Sequence, residues 1–330
     1  MPSATQPHRQ RNYALDVLKL LCAFLVISLH TPILEVEWQD VTRAFARVAV
    51  PIFFMITGYY WGSPSRDKAI GKLKYIAKIT AVAAIAYLAW GVVNEYRVGE
   101  LNQHLSHVFS LGTWFGYRLW VFNDTQFISS HLWYMPAVMY AIIIFMLAKD
   151  HLRHLYWLII PLFVACYALS FSSFDDTYTY RNWLFMALPF TLTGHFIRNH
   201  DFSKLTTRAI LGAVVVFAVI QFVEVVLYLR WDMYPRRDFF ATTPLLAAAI
   251  FLLAVRNPQF GANSLTARLG CEYTAWIYLY HRLWLFVINY VDNRLPGVNL
   301  WTAVLCFVLT IASIWLVKKI WSSLRPTKQE

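Results

Sequence analysis

Charge is scarce in this chain: of 330 residues only 14% are Asp, Glu, Lys or Arg, against about 25% in an ordinary soluble domain. Acids are the scarcer sign, 18 against 29 Lys and Arg, which leaves a formal net charge of +11. The basic residues form no continuous patch. They fall in short gaps between apolar runs, so a nucleic-acid binder is excluded and the charge reads as membrane topology. Cysteine is sparse as well. Cys22, Cys166, Cys271 and Cys306 lie inside or at the edge of apolar runs, with no C-x-x-C spacing and no Cys/His cluster. Neither a disulfide framework nor a metal site is expected. There is no fixed-period repeat and no low-complexity stretch. What is abundant is apolar surface, 58% of the chain, with a mean hydropathy of +0.46.

Runs of about 20 apolar residues, enough to cross ~30 Å of hydrocarbon as a helix, occur at 13–33, 44–62, 73–93, 130–148, 154–172, 182–197, 208–229, 239–255, 271–291 and 300–320. The expected fold is therefore an all-α polytopic membrane protein of about ten transmembrane helices. Short cytoplasmic loops carry excess Lys and Arg. With the N-terminus inside, those loops hold Arg66, Lys68, Lys72, Lys74, Lys78, Lys149, Arg153, Lys204, Arg208, Lys318 and Lys319 against Asp67, Asp150, Asp201 and Glu330. The outer segments hold no Lys and carry Glu35, Glu37, Asp40, Asp175, Asp176 and Asp232. Both termini are expected to be cytoplasmic, with residues 1–10 flexible, 11–322 one integral membrane domain and 323–330 a tail. The first apolar run is too long for a signal peptide and no small-residue cleavage site follows it. The outer stretch 94–129, rich in Trp, Phe and Tyr, suits an interfacial helix or a lid.

Ionisable groups inside such runs are costly and mark functional candidates. Asp16, Lys19, His30, Glu224, Glu272 and His281 qualify, with Arg47 near the outer mouth. Lys19 and His30 are eleven residues apart, about 1100° of helix, so they share a face with a rise of roughly 16 Å between them. Asp16 falls within about 40° of that stripe; it lines the path or simply pairs with Lys19 at i,i+3. An imidazole is the usual general base near neutral pH, although a lone membrane histidine is more often a helix–helix hydrogen bond. Glu224 has no motif around it and reads as a partner for a buried cation.

The companions of His30 carry a resemblance. Leu15-Asp16-Val17-Leu18-Lys19, ten residues and His30 resemble the Arg/Lys-x10-His signature of the acyltransferase 3 family of membrane acyltransferases. The segment from Arg47 through Val50-Pro51 to Thr57-Gly58-Tyr59 resembles its R-x-x-V-P-x-F-F-x-x-S-G-Y, and His131-Leu132-Trp133-Tyr134 its H-L-W-F. Gly194-His195-Phe196-Ile197-Arg198 and Gly270…Ile277-Tyr278-Leu279-Tyr280-His281 resemble two later motifs. The likeness covers about 11–320 and is nearest to the stand-alone enterobacterial common antigen O-acetyltransferase type. Lys19 stands for the commoner Arg, Thr57 for Ser, and the third-helix Arg-x-x-Arg is absent, with Lys72, Lys74 and Lys78 in its place.

The resemblance implies an O-acyltransferase of the bacterial inner membrane with no permanently bound cofactor. It would take an acyl group, usually acetyl, from cytoplasmic acyl-CoA to a hydroxyl of a surface glycan or lipid-linked sugar on the outer side. It implies that His30, Lys19 and Asp16 are catalytic and that Lys19, Lys72, Lys74 and Lys78 meet CoA. Arg47, Thr57, Tyr59, His131, Trp133, Tyr278 and His281 would line the substrate cavity. The lysine run serves equally as a positive-inside anchor, and His131 and Trp133 suit an aromatic belt. Direct transfer and an acyl-imidazole at His30 both stay open. A glycan or solute transporter is the rival reading.

Overall fold

The computed structural model describes residues 11–31, 36–61, 65–172, 177–231, 239–292 and 301–324. Residues 1–10, expected to be flexible, and 325–330 of the expected tail 323–330 lie outside the described residues. Everything described is helix or connection, with no strand. The chain runs through α1 (Tyr13–Ser28), α2 (Val36–Ala46), α3 (Ala49–Tyr60), α4 (Arg66–Val98), α5 (Leu101–Val108), α6 (Leu111–Phe115) and α7 (Tyr117–Phe122). It continues through α8 (Tyr134–Leu147), α9 (Ile159–Ser172), α10 (Leu188–Asn199), α11 (Thr207–Arg230), α12 (Thr243–Arg256), α13 (Leu265–Glu272), α14 (Thr274–Asp292) and α15 (Thr302–Leu324).

Six helical stretches among the described residues are long and apolar enough to cross a bilayer: Trp38–Tyr60, Arg66–Val98, Ser130–Leu147, Leu152–Phe171, Thr207–Arg230 and Thr302–Leu324. The other four apolar runs are helical too, but shorter or more polar. α1 has 16 residues and α12 14, α10 is 12 residues preceded by a π-helical turn over Trp183–Ala187, and α14 carries His281 and Arg282. Large apolar side chains on α11 and α15 face outward, among them Val215, Val216, Val219, Val308 and Val317. A soluble protein avoids apolar patches of that extent; a helix in lipid favours them.

Local chemistry explains the element ends. Asn12 accepts from Leu15 N at 2.9 Å and starts α1, and Ser65 and Ser264 cap α4 and α13 in the same way. α4 stops at Gly99, whose φ of 82° is the left-handed conformation that glycine adopts without strain. The first helix ends earlier than the apolar run 13–33 implies. It closes at Ser28, and His30 lies two residues past the end with its N–H bonded to Ile27 O at 2.9 Å. Pro32 follows in the sequence, and a proline excludes the residue before it from helical geometry.

Three glycines let helices meet backbone to backbone. A Cβ at Gly58 on α3 would collide with the Thr191 carbonyl on α10, and one at Gly194 on α10 with the Met55 carbonyl on α3. A Cβ at Gly270 on α13 would collide with the Asp16 carbonyl on α1. The result is a tight centre of α1, α3, α10, α13 and α14, with α4, α9, α11 and α15 on its outside.

Candidate active site

Two chambers lie along α1. The first, about 280 Å³, is lined by Lys19, Phe53, Thr57, Lys72, Tyr75, Tyr134, Cys271 and Tyr278 among others. Its charge is organised by Asp16, only 4% exposed, whose two carboxylate oxygens take Lys19 Nζ at 2.6 Å and Arg11 Nε at 2.7 Å. Hydrogen bonding to that carboxylate raises Arg11 above its ordinary value, and two basic side chains share the one carboxylate. Asp16 is thus a holder of cations, and the i,i+3 pair with Lys19 is formed. Lys72, like Lys74 and Lys78 an exposed residue, lines the same chamber with its ammonium over the Tyr75 ring, whereas Lys74 and Lys78 line neither chamber.

The second chamber, about 270 Å³, is lined by His30, Arg47, Ser130, His131, Trp133, Arg181, Phe239 and Tyr278 with several apolar side chains. Three imidazoles converge beside it. The rings of His30 and His281 stack at 5.4 Å, His131 stands edge-on to His281 at 5.1 Å, and His30 lies 6.4 Å from His131. They come from the end of α1, the turn Ser130–Trp133 before α8, and the middle of α14. His30 is open to the chamber, His131 borders it though nearly buried, and His281 is buried behind it.

Hydrogen bonding sets the proton positions of the two buried rings. His281 Nδ1 faces the carbonyls of Ile277 at 3.1 Å and Tyr278 at 2.9 Å, which only accept, so Nδ1 carries the proton and Nε2 presents a lone pair. That Nε2 is buried and has no hydrogen-bond partner among the described residues. His131 is the opposite tautomer: Nε2–H donates to Leu279 O at 3.3 Å, and Nδ1 accepts from the Ser129 hydroxyl at 2.9 Å. The Tyr278 hydroxyl donates to the His131 carbonyl, and Tyr87 donates to Leu279 O at 2.8 Å. Arg282 donates to Ser130 Oγ at 2.6 Å, fixing a guanidinium beside the cluster. Such an arrangement can receive a proton, or an acyl group, at the exposed ring of His30.

Of the residues singled out in the sequence, Lys19, Lys72, Thr57 and Tyr278 share the first chamber; His30, Arg47, His131, Trp133 and Tyr278 share the second, with His281 directly behind His30. Tyr59 is elsewhere. Its ring packs edge-on against Phe251 at 5.7 Å and its carbonyl accepts from Arg198 at 2.8 Å. Thr57 Oγ1 donates to Phe53 O at 3.0 Å within its own helix. The Glu224 carboxylate accepts from Ala241 N at 2.8 Å, Thr242 N at 3.2 Å, the Thr242 hydroxyl and the Tyr228 hydroxyl, so it braces the turn that leads into α12 rather than serving a buried cation. Sequence reading passed over Ser130, Arg181 and Arg282, and it did not single out Tyr134 or Cys271 as chamber residues although Tyr134 closes the H-L-W-F-like motif. Arg282 had a signal, an arginine inside an apolar run beside His281; Ser130 and Arg181 had none.

The fold and chambers define a polytopic helical membrane protein with a polar, histidine-lined interior. The chain belongs to the acyltransferase 3 family: the family model for the acyltransferase domain matches residues 12–319. Among curated proteins it is similar to a serine/alanine racemase of Enterococcus gallinarum, 22% identical over 350 residues that cover 93% of this chain and 46% of that protein. It is also similar to an amino-acid racemase of Enterococcus faecalis, 23% identical with 96% and 47% coverage. The chain spans about half the length of these curated relatives, and at this distance their racemase names carry nothing over to it. No solved structure matches.

Proposed function

We propose that this protein is an O-acyltransferase of the bacterial inner membrane. It moves a short acyl group from cytoplasmic acyl-CoA to a hydroxyl of a surface glycan or lipid-linked sugar on the outer side. Ten helices cross the membrane with both termini cytoplasmic, which puts the Lys19 chamber toward the cytoplasm and the His30 chamber toward the outside. The observation that supports this most directly is the pair of chambers along α1, cationic at Lys19 and Lys72, imidazole-lined at His30, with Tyr278 between them.

In this reading Lys19, held by Asp16, and Lys72 neutralise CoA phosphates as point charges, and the thioester extends toward His30. The acceptor hydroxyl attacks the acyl carbon directly, its proton passing to His30, or His30 first takes the acyl group and then yields it to the hydroxyl. On either route the carbon–sulfur bond breaks, a carbon–oxygen bond forms, and the leaving thiolate takes up the released proton. The test is CoA release from acetyl-CoA by purified protein in lipid. His30→Ala is expected to abolish release, and Lys19→Ala to weaken acetyl-CoA binding. Folded wild-type protein that neither binds acetyl-CoA nor releases CoA would overturn the proposal and leave a transporter as the better account.

A further inference from the structure

The two chambers share one lining residue among those described, Tyr278. It belongs to a plug of three rings in mutual contact: Tyr278 and Tyr134 at 5.1 Å, Phe53 and Tyr134 at 6.2 Å, Phe53 and Tyr278 at 6.4 Å. Tyr134 is backed by Phe54 at 4.7 Å. Tyr278 faces both ways, since its other side lies 5.7 Å from the His131 ring and its hydroxyl is tethered to the His131 carbonyl. Lys19 lines only the first chamber and His30 only the second. Any group passed from one to the other must therefore cross the plug.

Size then decides what crosses. The first chamber, at about 280 Å³, lies below the roughly 300–1,000 Å³ typical of sites for drug-sized ligands, so the pantetheine arm of a CoA thioester occupies most of it. The acyl group is left with the space at the plug, where displacing one phenol ring opens room for a few heavy atoms. Charge matters too, because the plug offers aromatic faces, and a free carboxylate on the acyl chain would lose its hydration there without a partner.

We propose that Tyr278, with Phe53 and Tyr134, is the acyl selector of this enzyme and restricts transfer to short, uncharged groups such as acetyl and propionyl. The inference rests on the acyl-CoA reading above. Tyr278 sets specificity by bulk, its ring held in the passage by the rings of Phe53, His131 and Tyr134 around it.

CoA release from acetyl-, butyryl-, octanoyl- and succinyl-CoA, measured on the full chain in lipid, tests it. Wild type is expected to favour acetyl over octanoyl by about tenfold or more, the scale on which a confined apolar site discriminates added methylenes. Tyr278→Ala should bring the octanoyl and acetyl rates closer by about the same factor, and Tyr278→Phe, which keeps the bulk, should retain the preference. Should Tyr278→Ala not fold, Phe53→Ala opens the same plug from α3 and carries the same expectation. Equal wild-type rates for all chain lengths, or an unchanged ratio in the folded alanine variant, would overturn the selector and leave the acyl-CoA reading standing. Neither binding nor release of any of the four by folded wild type would instead overturn that reading.

Discussion

Lys19 and Lys72 line a chamber while Lys74 and Lys78, on the same helix as Lys72, do not. That difference separates binding from membrane anchoring within one lysine run. A charge-assisted contact to a phosphate is worth about 1.5–3 kcal/mol, so Lys19→Ala or Lys72→Ala should weaken acetyl-CoA binding by roughly tenfold or more. Lys74→Ala and Lys78→Ala should leave it within about twofold, as expected for solvated surface charges. Calorimetric titration with acetyl-CoA checks all four; equal losses across the run would mean a diffuse electrostatic anchor. The sequence made Lys19 and His30 stand out because charge in an apolar run has no inexpensive explanation. Tyr59 had only its neighbours to recommend it, and its ring turns toward Phe251 because successive residues of a helix point 100° apart.

At the scale of elements, glycine positions divide into two kinds. Gly58, Gly194 and Gly270 sit where a neighbouring helix presents a backbone carbonyl, while Gly71 and Gly212 have open space around them. Replacing glycine by alanine inside a helix gains up to about 1 kcal/mol in propensity, but forcing a methyl into packed backbone costs about 1–3 kcal/mol. Gly58→Ala, Gly194→Ala and Gly270→Ala should therefore lower the Tm in detergent, and Gly71→Ala and Gly212→Ala should hold or raise it. A second element-level device is Glu224, which ties α11 to the start of α12. Glu224→Ala strands the Ala241 and Thr242 donors and should lower stability by about 1–3 kcal/mol, seen as a lower Tm, with acetyl-CoA affinity unchanged. The helices themselves were legible as apolar runs. Their breaks were less so: the turn between α2 and α3, the early end of α1 and the π-helical entry to α10 depend on how neighbouring helices cross.

For the whole molecule, accessibility of the four cysteines follows from the packing. Cys22, Cys166 and Cys306 are buried, and Cys271 is exposed at the Lys19 chamber. A maleimide should label a single thiol, Cys271→Ser should remove the labelling, and acetyl-CoA should slow it. An impermeant maleimide should reach Cys271 only from the cytoplasmic face; labelling from the outer face would reverse the proposed orientation.

The sequence by itself determined the class: apolar runs of helical length, little charge, a basic bias in alternate gaps and a small set of ionisable residues inside the runs. These follow from local physics, since each run has to bury its own backbone hydrogen bonds and hide its apolar surface whatever its neighbours do. Only the tertiary structure decided that His30, His131 and His281, far apart in the chain, share one corner, that Tyr278 borders both chambers, and that Glu224 braces the turn before α12. Such meetings depend on which helix faces which and at what rotation, and glycine contacts such as Gly58 against Thr191 set that through space.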